Sequence, residues 1–386
     1  MLKELRVAVI GAGFTGYQHT EAARRVPGVR IVALADANIE LARLACDRLG
    51  IPSPYQDYKE MVKIEKPDVV HNCTPNHIHC EINSWLIEHG IPVYCEKPLG
   101  NNSIETRQLC NLAKEHQVLA AVNFNYRQNA MVQEMRARVH STNPEEEWGR
   151  TFLVHGRYAQ DWMMYDTDYN WRCIPEIGGP SRTVADIGSH WFDTVQHILG
   201  QKITRVNAQF IRVMDQRKKY EQQAQTFGGQ SGSNYTFVDI ESEDAAFINV
   251  QFENGVYGQV LLSQITAGAK NDLQIGIDGS RYSMSWKQED ADKLLIGHRE
   301  RGSILKYASS DMLTGDAKQY ATLPAGHAVA WHDALRNGIS NFYAALRGSK
   351  NANYATIEDG DYIVRIVEAC IKSNEIQDWV TIEEAK

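Results

Sequence analysis

Three stretches carry side chains whose types and spacing could do chemistry. VADIGSHWFD, residues 184 to 193, leads into TVQHILG and reads as the start of a helix. At about 100° per residue, Asp186, His190, Asp193 and His197 fall on one stripe. Trp191, Phe192, Val195, Ile198 and Leu199 occupy the opposite arc. A carboxylate and an imidazole one turn apart can take up and relay a proton near neutral pH. The pattern alone leaves two readings open. The stripe is the wet face of an amphipathic helix, the commoner meaning, or a catalytic face turned into a cleft.

VAVIGAGFTG places Gly11, Gly13 and Gly16 in G-x-G-x-x-G spacing, with Phe14 and Thr15 inside the turn. The motif is weak alone. Here it follows an apolar run and precedes the helical YQHTEAARRV. That context supplies a tight turn, close backbone approach to a pyrophosphate, and a helix N-terminus to hold it. Asp36 closes the next apolar run, about 20 residues on, where a carboxylate accepts from the ribose hydroxyls and repels a 2′-phosphate. NAD is therefore expected over NADP.

YCEKPLG, residues 94 to 100, puts Glu96 and Lys97 where a strand ends and a proline fixes the chain, and both are expected to line the cofactor. A lysine there can meet a substrate beside a nicotinamide, although a lone lysine in a loop is usually only solvated. CTPNHIHC, residues 73 to 80, ends another run. Its His-x-His beside two cysteines invites a metal reading. Alternate residues of a strand diverge, however, and no second ligand pair stands at a zinc-like spacing. Thr74, Pro75, Asn76 and His79 are instead expected to line the cofactor, because strand ends of such sheets face the ligand crevice.

The elements that must position these groups follow from periodicity. Apolar runs at 5–11, 29–36, 67–74, 91–98 and 118–125 alternate with 3.6-residue patterns such as IELARLACDRLG. That alternation predicts a parallel, doubly wound α/β sheet over residues 1–125. From 126 to 386 the pattern changes. One helix (NAMVQEMRARVHS) is followed by alternating strands with turn signals at FENG and IDGS, which predicts an α+β domain with a mostly antiparallel sheet. Residues 216–234, QRKKYEQQAQTFGGQSGSN, read as a polar loop. Two amphipathic helices follow, the last expected to pack back near the cleft or the first domain.

The net charge of −8 and pI near 5.9 give no basic surface for nucleic acid or an anionic membrane. No apolar run approaches the length of a membrane span, and the N-terminus runs straight into the glycine turn with no signal-type cleavage site. Seven cysteines, odd in number and without a C-x-x-C pair, point to a reducing cytoplasm.

Taken in order, the glycine turn, the TPNHxxH-like strand end, EKP and D-x-x-x-H resemble the glucose-fructose oxidoreductase / inositol dehydrogenase / rhizopine-catabolism (Gfo/Idh/MocA) family over essentially the whole chain. The resemblance implies a Rossmann domain followed by a large open antiparallel sheet, with a Lys-Pro peptide that is often cis. It implies Lys97, Asp186 and His190 as the catalytic group and turns the acid/imidazole stripe toward a cleft, at least at its N-terminal end. Asp193 and His197 keep a partly structural reading. It also implies association through the open sheet face as a homodimer or homotetramer.

Within the family, QDWMMYDTDYNWR (160–172) and GHAVAWHDALRN (326–337) resemble members that oxidise sugars and glycosides. Trp162, Tyr165, Trp171, Arg172 and His327, with Tyr126 and Arg127 of NFNYRQN, are the candidate substrate contacts. Each aromatic among them also suits an ordinary core. The expected reaction is NAD-dependent oxidation of a secondary hydroxyl of a sugar, glycoside or cyclic polyol, with no metal. Two other classes are consistent with the fold: an NAD-using glycoside hydrolase, and a non-catalytic NAD-binding sugar sensor.

Overall fold

The structure is a computed structural model, and it describes residues 4–144, 147–221 and 234–382. The chain divides into two compact units. One comprises residues 1–125 with 332–364, and the other 126–331 with 365–386.

The first unit is built on six short strands: β1 (Leu5–Ile10), β2 (Val29–Ala35), β3 (Ser53–Tyr55), β4 (Val69–Asn72), β5 (Val93–Cys95) and β6 (Ala120–Val122). All pair in parallel, in the order β3-β2-β1-β4-β5-β6. The order reverses between β1 and β4, and in such sheets ligands bind outside the strand ends at that switch. Val7, Ala8 and Val9 of β1 are fully buried, as expected for a strand covered on both faces. The helices between strands are α1 (Phe14–Arg24), α2 (Ile39–Leu49), α3 (Tyr58–Glu65), α4 (His79–Glu88) and α5 (Ser103–His116). Asn38, Asp57 and Asn102 cap the first turns of α2, α3 and α5 with side-chain oxygens. A later helix, α9 (Trp331–Leu346), contributes Phe342 and Tyr343 to this core, both fully buried.

The second unit holds α6 (Ala130–Val139), β7 (Thr151–Ala159), the single turn α7 (Pro175–Gly178) and α8 (Ser189–Leu199). Strands β8 (Ile203–Ile211), β9 (Gln216–Tyr220), β10 (Tyr235–Asp239), β11 (Ala245–Phe252), β12 (Tyr257–Ser263) and β13 (Asp272–Gly279) follow. Then come β14 (Ser283–Lys287), β15 (Lys293–His298), β16 (Gly302–Tyr307) and, after helix α10 (Ile357–Ile376), β17 (Val380–Thr381). Nine of them form one sheet ordered β16-β15-β14-β13-β7-β12-β11-β8-β17. Every pairing is antiparallel except β7 with β12.

One face of this sheet is buried: Val154, Ile248, Val260, Leu262, Ile275 and Trp286 are closed from solvent. Helix α8 packs on that face, and Gly156 allows the approach, since a Cβ there would lie 2.4 Å from the Trp191 Nε1. The opposite face exposes Leu153, Phe247, Tyr257, Leu295 and Leu305, aligned by the strand registers.

The expected polar loop at 216–234 needs correction. Gln216–Tyr220 and Tyr235–Asp239 form an antiparallel pair, with Tyr220 opposite Tyr235. Arg217 and Tyr220 are buried, while Lys218 bonds Asp166, so a strand without an apolar run is held by specific polar partners. Residues 222–233 of that stretch lie outside the described residues.

Candidate active site

In the first unit the glycine turn is sterically specified. Gly11 has φ +104°, and a Cβ on it would come 2.6 Å from the Cys73 carbonyl oxygen. A Cβ on Gly16 would fall 1.9 Å from the Gly11 oxygen. Gly13 is different: its missing Cβ would meet only open space, and no side chain caps the helix that starts after it. That is a cradle suited to a pyrophosphate held by backbone N–H groups and the α1 dipole. Phe14 is exposed, and the Thr15 hydroxyl donates to the Cys73 carbonyl (3.4 Å). Asp36 accepts from the Ala12 N–H with Oδ2 (2.8 Å) and from the Asn38 N–H with Oδ1 (2.9 Å). Each oxygen keeps a second lone pair for a ribose hydroxyl. These residues fit a dinucleotide.

The loops after β4 and β5 are tied to each other. The buried His79 sets Nδ1 against the Pro98 carbonyl and Nε2 against the Thr74 carbonyl, both at 2.8 Å. Burial pushes His79 below its ordinary pKa, against the pull of those carbonyls. The Thr74 hydroxyl donates to Asn72 (2.7 Å), and Pro75 starts the short turn Asn76–Ile78. The Lys97–Pro98 peptide is cis. Glu96 is buried; its Oε2 accepts the Lys97 N–H (3.2 Å) and its Oε1 faces His19 and Asn123.

In the second unit the D-x-x-x-H stretch is not one regular helix. Val184–Gly188 is a π-helical turn and α8 begins at Ser189. Such wide turns frequently mark functional sites. The Asp186 Oδ2 accepts from Gln264 (2.9 Å), and its Oδ1 lies 3.6 Å from Arg172 Nε. The Arg172 guanidinium sits over the Trp171 ring at 4.3 Å and the Trp162 ring at 5.7 Å. His190 is packed edge-on against Tyr126 (4.7 Å). Tyr126 and Tyr158 share a hydrogen bond (2.9 Å) and both reach Asn271. Burial raises both phenols above their ordinary pKa, so they stay protonated.

The rest of the stripe is not wet. Asp193 is buried in an ion pair with Arg127, and His197 is buried beside Gln133 (2.9 Å). Arg127 is therefore committed to α8. Burial, with Arg127 and Arg136 nearby, pushes His197 well below its ordinary pKa. Tyr165 is largely exposed, and His327 lies exposed with Nδ1 3.2 Å from the Pro324 carbonyl. Neither is brought to the Asp186–Arg172–His190 group by a contact described above.

Sequence reasoning missed the supports. Arg182 and Arg217, both fully buried, converge on one oxygen of Asp244. Arg217 also donates to the carbonyls of Met163, Tyr165 and Asp168, which shapes the segment bearing Trp162 and Trp171. Arg182 lies two residues before the π turn bearing Asp186. Gln264, Tyr158 and Asn271 carry no local motif; only the fold brings them to Asp186 and His190. Among the described residues, no group of three or more His, Cys, Asp or Glu is placed to hold a metal ion. Nor is any described helix long and apolar enough to cross a membrane.

Comparison with known proteins gives a consistent result. Residues 5–124 match the oxidoreductase family NAD-binding Rossmann fold, GFO_IDH_MocA, and residues 145–382 match its C-terminal alpha/beta domain. A levoglucosan dehydrogenase of Pseudarthrobacter phenanthrenivorans is 26% identical over 397 residues, covering 99% of each chain. A D-glucoside 3-dehydrogenase of Escherichia coli is 28% identical over 254 residues, 65% of this chain and 68% of the relative. An inositol dehydrogenase homolog from Azotobacter vinelandii, solved with NAD+, superposes with a TM-score of 0.85 at 24% identity, over 99% of this chain and 98% of its own. The chain belongs to the Gfo/Idh/MocA oxidoreductase family, and its first unit is an NAD-binding Rossmann fold.

Proposed function

We propose that this chain oxidises a secondary hydroxyl of a sugar, glycoside or cyclic polyol to a ketone, using NAD. One observation carries the reading: Asp186 is joined to an arginine stacked on two tryptophans, with His190 one turn further on against Tyr126. Indole faces suit the C–H faces of a pyranose, and guanidinium and carboxylate suit its hydroxyls. An imidazole beside them is a base for the hydroxyl to be oxidised. The names of the relatives, which act on levoglucosan and D-glucosides, point the same way.

The glycine turn, Asp36 and the Thr74–Asn76 loop would hold the dinucleotide, and the Asp36 carboxylate favours NAD over NADP. When bound, the nicotinamide supplies the acceptor for the hydride leaving the carbinol carbon. His190 takes the hydroxyl proton. Asp186 orients the reacting group together with Arg172 and shares the proton relay. Lys97, cationic, stabilises developing alkoxide character. These groups supply the polarisation, so the reaction needs no metal. The aligned apolar residues on the outer face of the large sheet suit a homodimer or homotetramer, and seven cysteines without a C-x-x-C pair suit the cytoplasm.

The experiment is a screen of NADH formation against levoglucosan, methyl glucosides, aldoses and inositols. A keto product formed in step with NADH supports the reading. Glycoside cleavage without net NADH marks the hydrolase alternative, and binding of NAD with no turnover on any of them marks a sensor.

A further inference from the structure

The first unit buries a line of titratable groups that the proposed chemistry does not use. The Tyr343 hydroxyl of α9 lies 2.7 Å from His71 Nε2, in the middle of β4. His71 Nδ1 faces His19 Nδ1 of α1 at 3.0 Å. His19 Nε2 lies 2.8 Å from Glu96 Oε1, which also accepts from Asn123 (2.6 Å). Tyr343 and His71 are 0% exposed, and His19 is 1% exposed. Burying such a line costs desolvation that an apolar core would avoid, so stability alone is a weak reason for it.

We propose that Glu96 is a positioning residue for Lys97, and that the Tyr343–His71–His19 line serves to hold its carboxylate in place. This rests on the reading of Lys97 as a catalytic group. A carboxylate only accepts, so His19 Nε2 must carry a proton toward Glu96. The two facing Nδ1 atoms then share one further proton. With His19 neutral, His71 donates to it and Tyr343 donates to His71. With His19 cationic, the direction reverses, and His71 donates to the Tyr343 oxygen. In both states Glu96 keeps its donor.

Burial, followed by the nearby His19, pushes His71 well below its ordinary pKa, so it is the neutral link. Burial alone would raise Glu96. His19, Asn123 and Lys97 outweigh it and hold the carboxylate at about 2. Cys73, Cys95 and His79 also feel Glu96; burial leads in raising both thiols and in lowering His79. Lys97 and, when protonated, His19 are the cations it faces. Glu96 accepts the Lys97 N–H with its other oxygen (3.2 Å). One side chain thus fixes both the main chain of Lys97 and a negative charge beside it.

The test separates geometry from charge. Glu96→Gln keeps an acceptor for the Lys97 N–H but removes the charge. With whichever of levoglucosan, methyl glucoside or myo-inositol the wild type oxidises, kcat should fall about ten- to a hundredfold. The pH–rate profile should move to lower pH, because losing a neighbouring anion eases deprotonation of an ammonium. NADH affinity, read by fluorescence, should change by less than about threefold, since the phosphates bind at the glycine turn. His19→Gln keeps an N–H toward Glu96 but cuts the line to His71 and Tyr343, so it should lower kcat less than Glu96→Gln does and still displace the profile. This second variant covers the case in which Glu96→Gln fails to fold. A profile superimposable on wild type in a folded Glu96→Gln or His19→Gln overturns the proposal. Lys97→Met separates the two readings: if it retains turnover, the assignment of Lys97 fails first. If it is inactive while the Glu96→Gln profile is unchanged, only the positioning role fails.

Discussion

Removing the Asp36 carboxylate should change which cofactor the first unit prefers. Both Asp36 oxygens already hold backbone, Oδ2 the Ala12 N–H and Oδ1 the Asn38 N–H. A carboxylate has about four acceptor sites, so about two remain for ribose hydroxyls. A hydrogen bond to a charged group is worth ~1.5–3 kcal/mol, and ~1.4 kcal/mol is a factor of ten. Asp36→Ala should therefore weaken NADH roughly ten- to a hundredfold through the ribose alone. The loosened Ala12 turn adds a loss common to both cofactors, because both place a pyrophosphate there. NADPH loses that common part but also loses a repulsion between its 2′-phosphate and the carboxylate. The quantity to measure is thus the ratio of NADH to NADPH dissociation constants, by fluorescence titration at fixed ionic strength. The ratio should move at least about tenfold toward NADPH. Equal losses for the two would mean that Asp36 serves only the turn, and the ribose assignment would be refuted.

Asp244→Asn would leave two buried guanidinium groups sharing a neutral partner; breaking a buried pair costs about 3–5 kcal/mol. At roughly 2–4 °C per kcal/mol for a domain of this size, thermal unfolding of the second unit should start about 6–20 °C lower. Arg172→Ala should raise KM for a sugar about tenfold or more with little change in NADH affinity, checked by steady-state kinetics and fluorescence. Stability should fall with acid in two stages, followed by circular dichroism. His71 and His197 are held neutral, so their contribution is present above the unfolded histidine value of about 6.5 and is lost as pH drops below it. Glu96, Glu134 and Asp244 are lowered in the fold despite burial, so theirs is present above about pH 4 and is lost as pH falls below it, for Glu96 toward about 2. Glu243 runs the other way: burial raises it, and its protonation relieves a cost as pH falls.

Much of the fold was legible because its signals are local. The glycine turn, the apolar parallel strands and the turns FENG and IDGS each depend on residues a few positions apart. Gly255 takes φ +82° in the first of those turns, and β13 meets β14 across the second. What escaped depends on distant partners. β9 has no apolar run, and its buried Arg217 is satisfied by partners far along the chain: Asp244, 27 residues on, and the carbonyls of Met163, Tyr165 and Asp168. The parallel pairing of β7 with β12 brings together strands far apart in sequence.

The stripe of Asp186, His190, Asp193 and His197 shows the same limit at the site. Helical spacing put them on one face, but Arg127 and Gln133 enclose the last two, and a π turn re-aims the first. Nothing in the spacing of His19, His71 and Glu96 announces that they touch. They belong to α1, β4 and the end of β5, brought into contact by the sheet order.

The proposed reaction requires His190 to remove the proton as a sugar hydroxyl is oxidised. The most direct measurement is single-turnover formation of NADH and keto product by wild type and His190→Ala, on a glycoside or polyol that the wild type oxidises. The variant should bind NAD as well as wild type and lose about 10²–10⁴ in rate, the range for positioned proton transfer. Asp193→Asn, from the same stripe but enclosed by Arg127, should retain NAD binding and lose less than tenfold in rate. A His190→Ala variant that forms keto product at the wild-type rate would contradict the account.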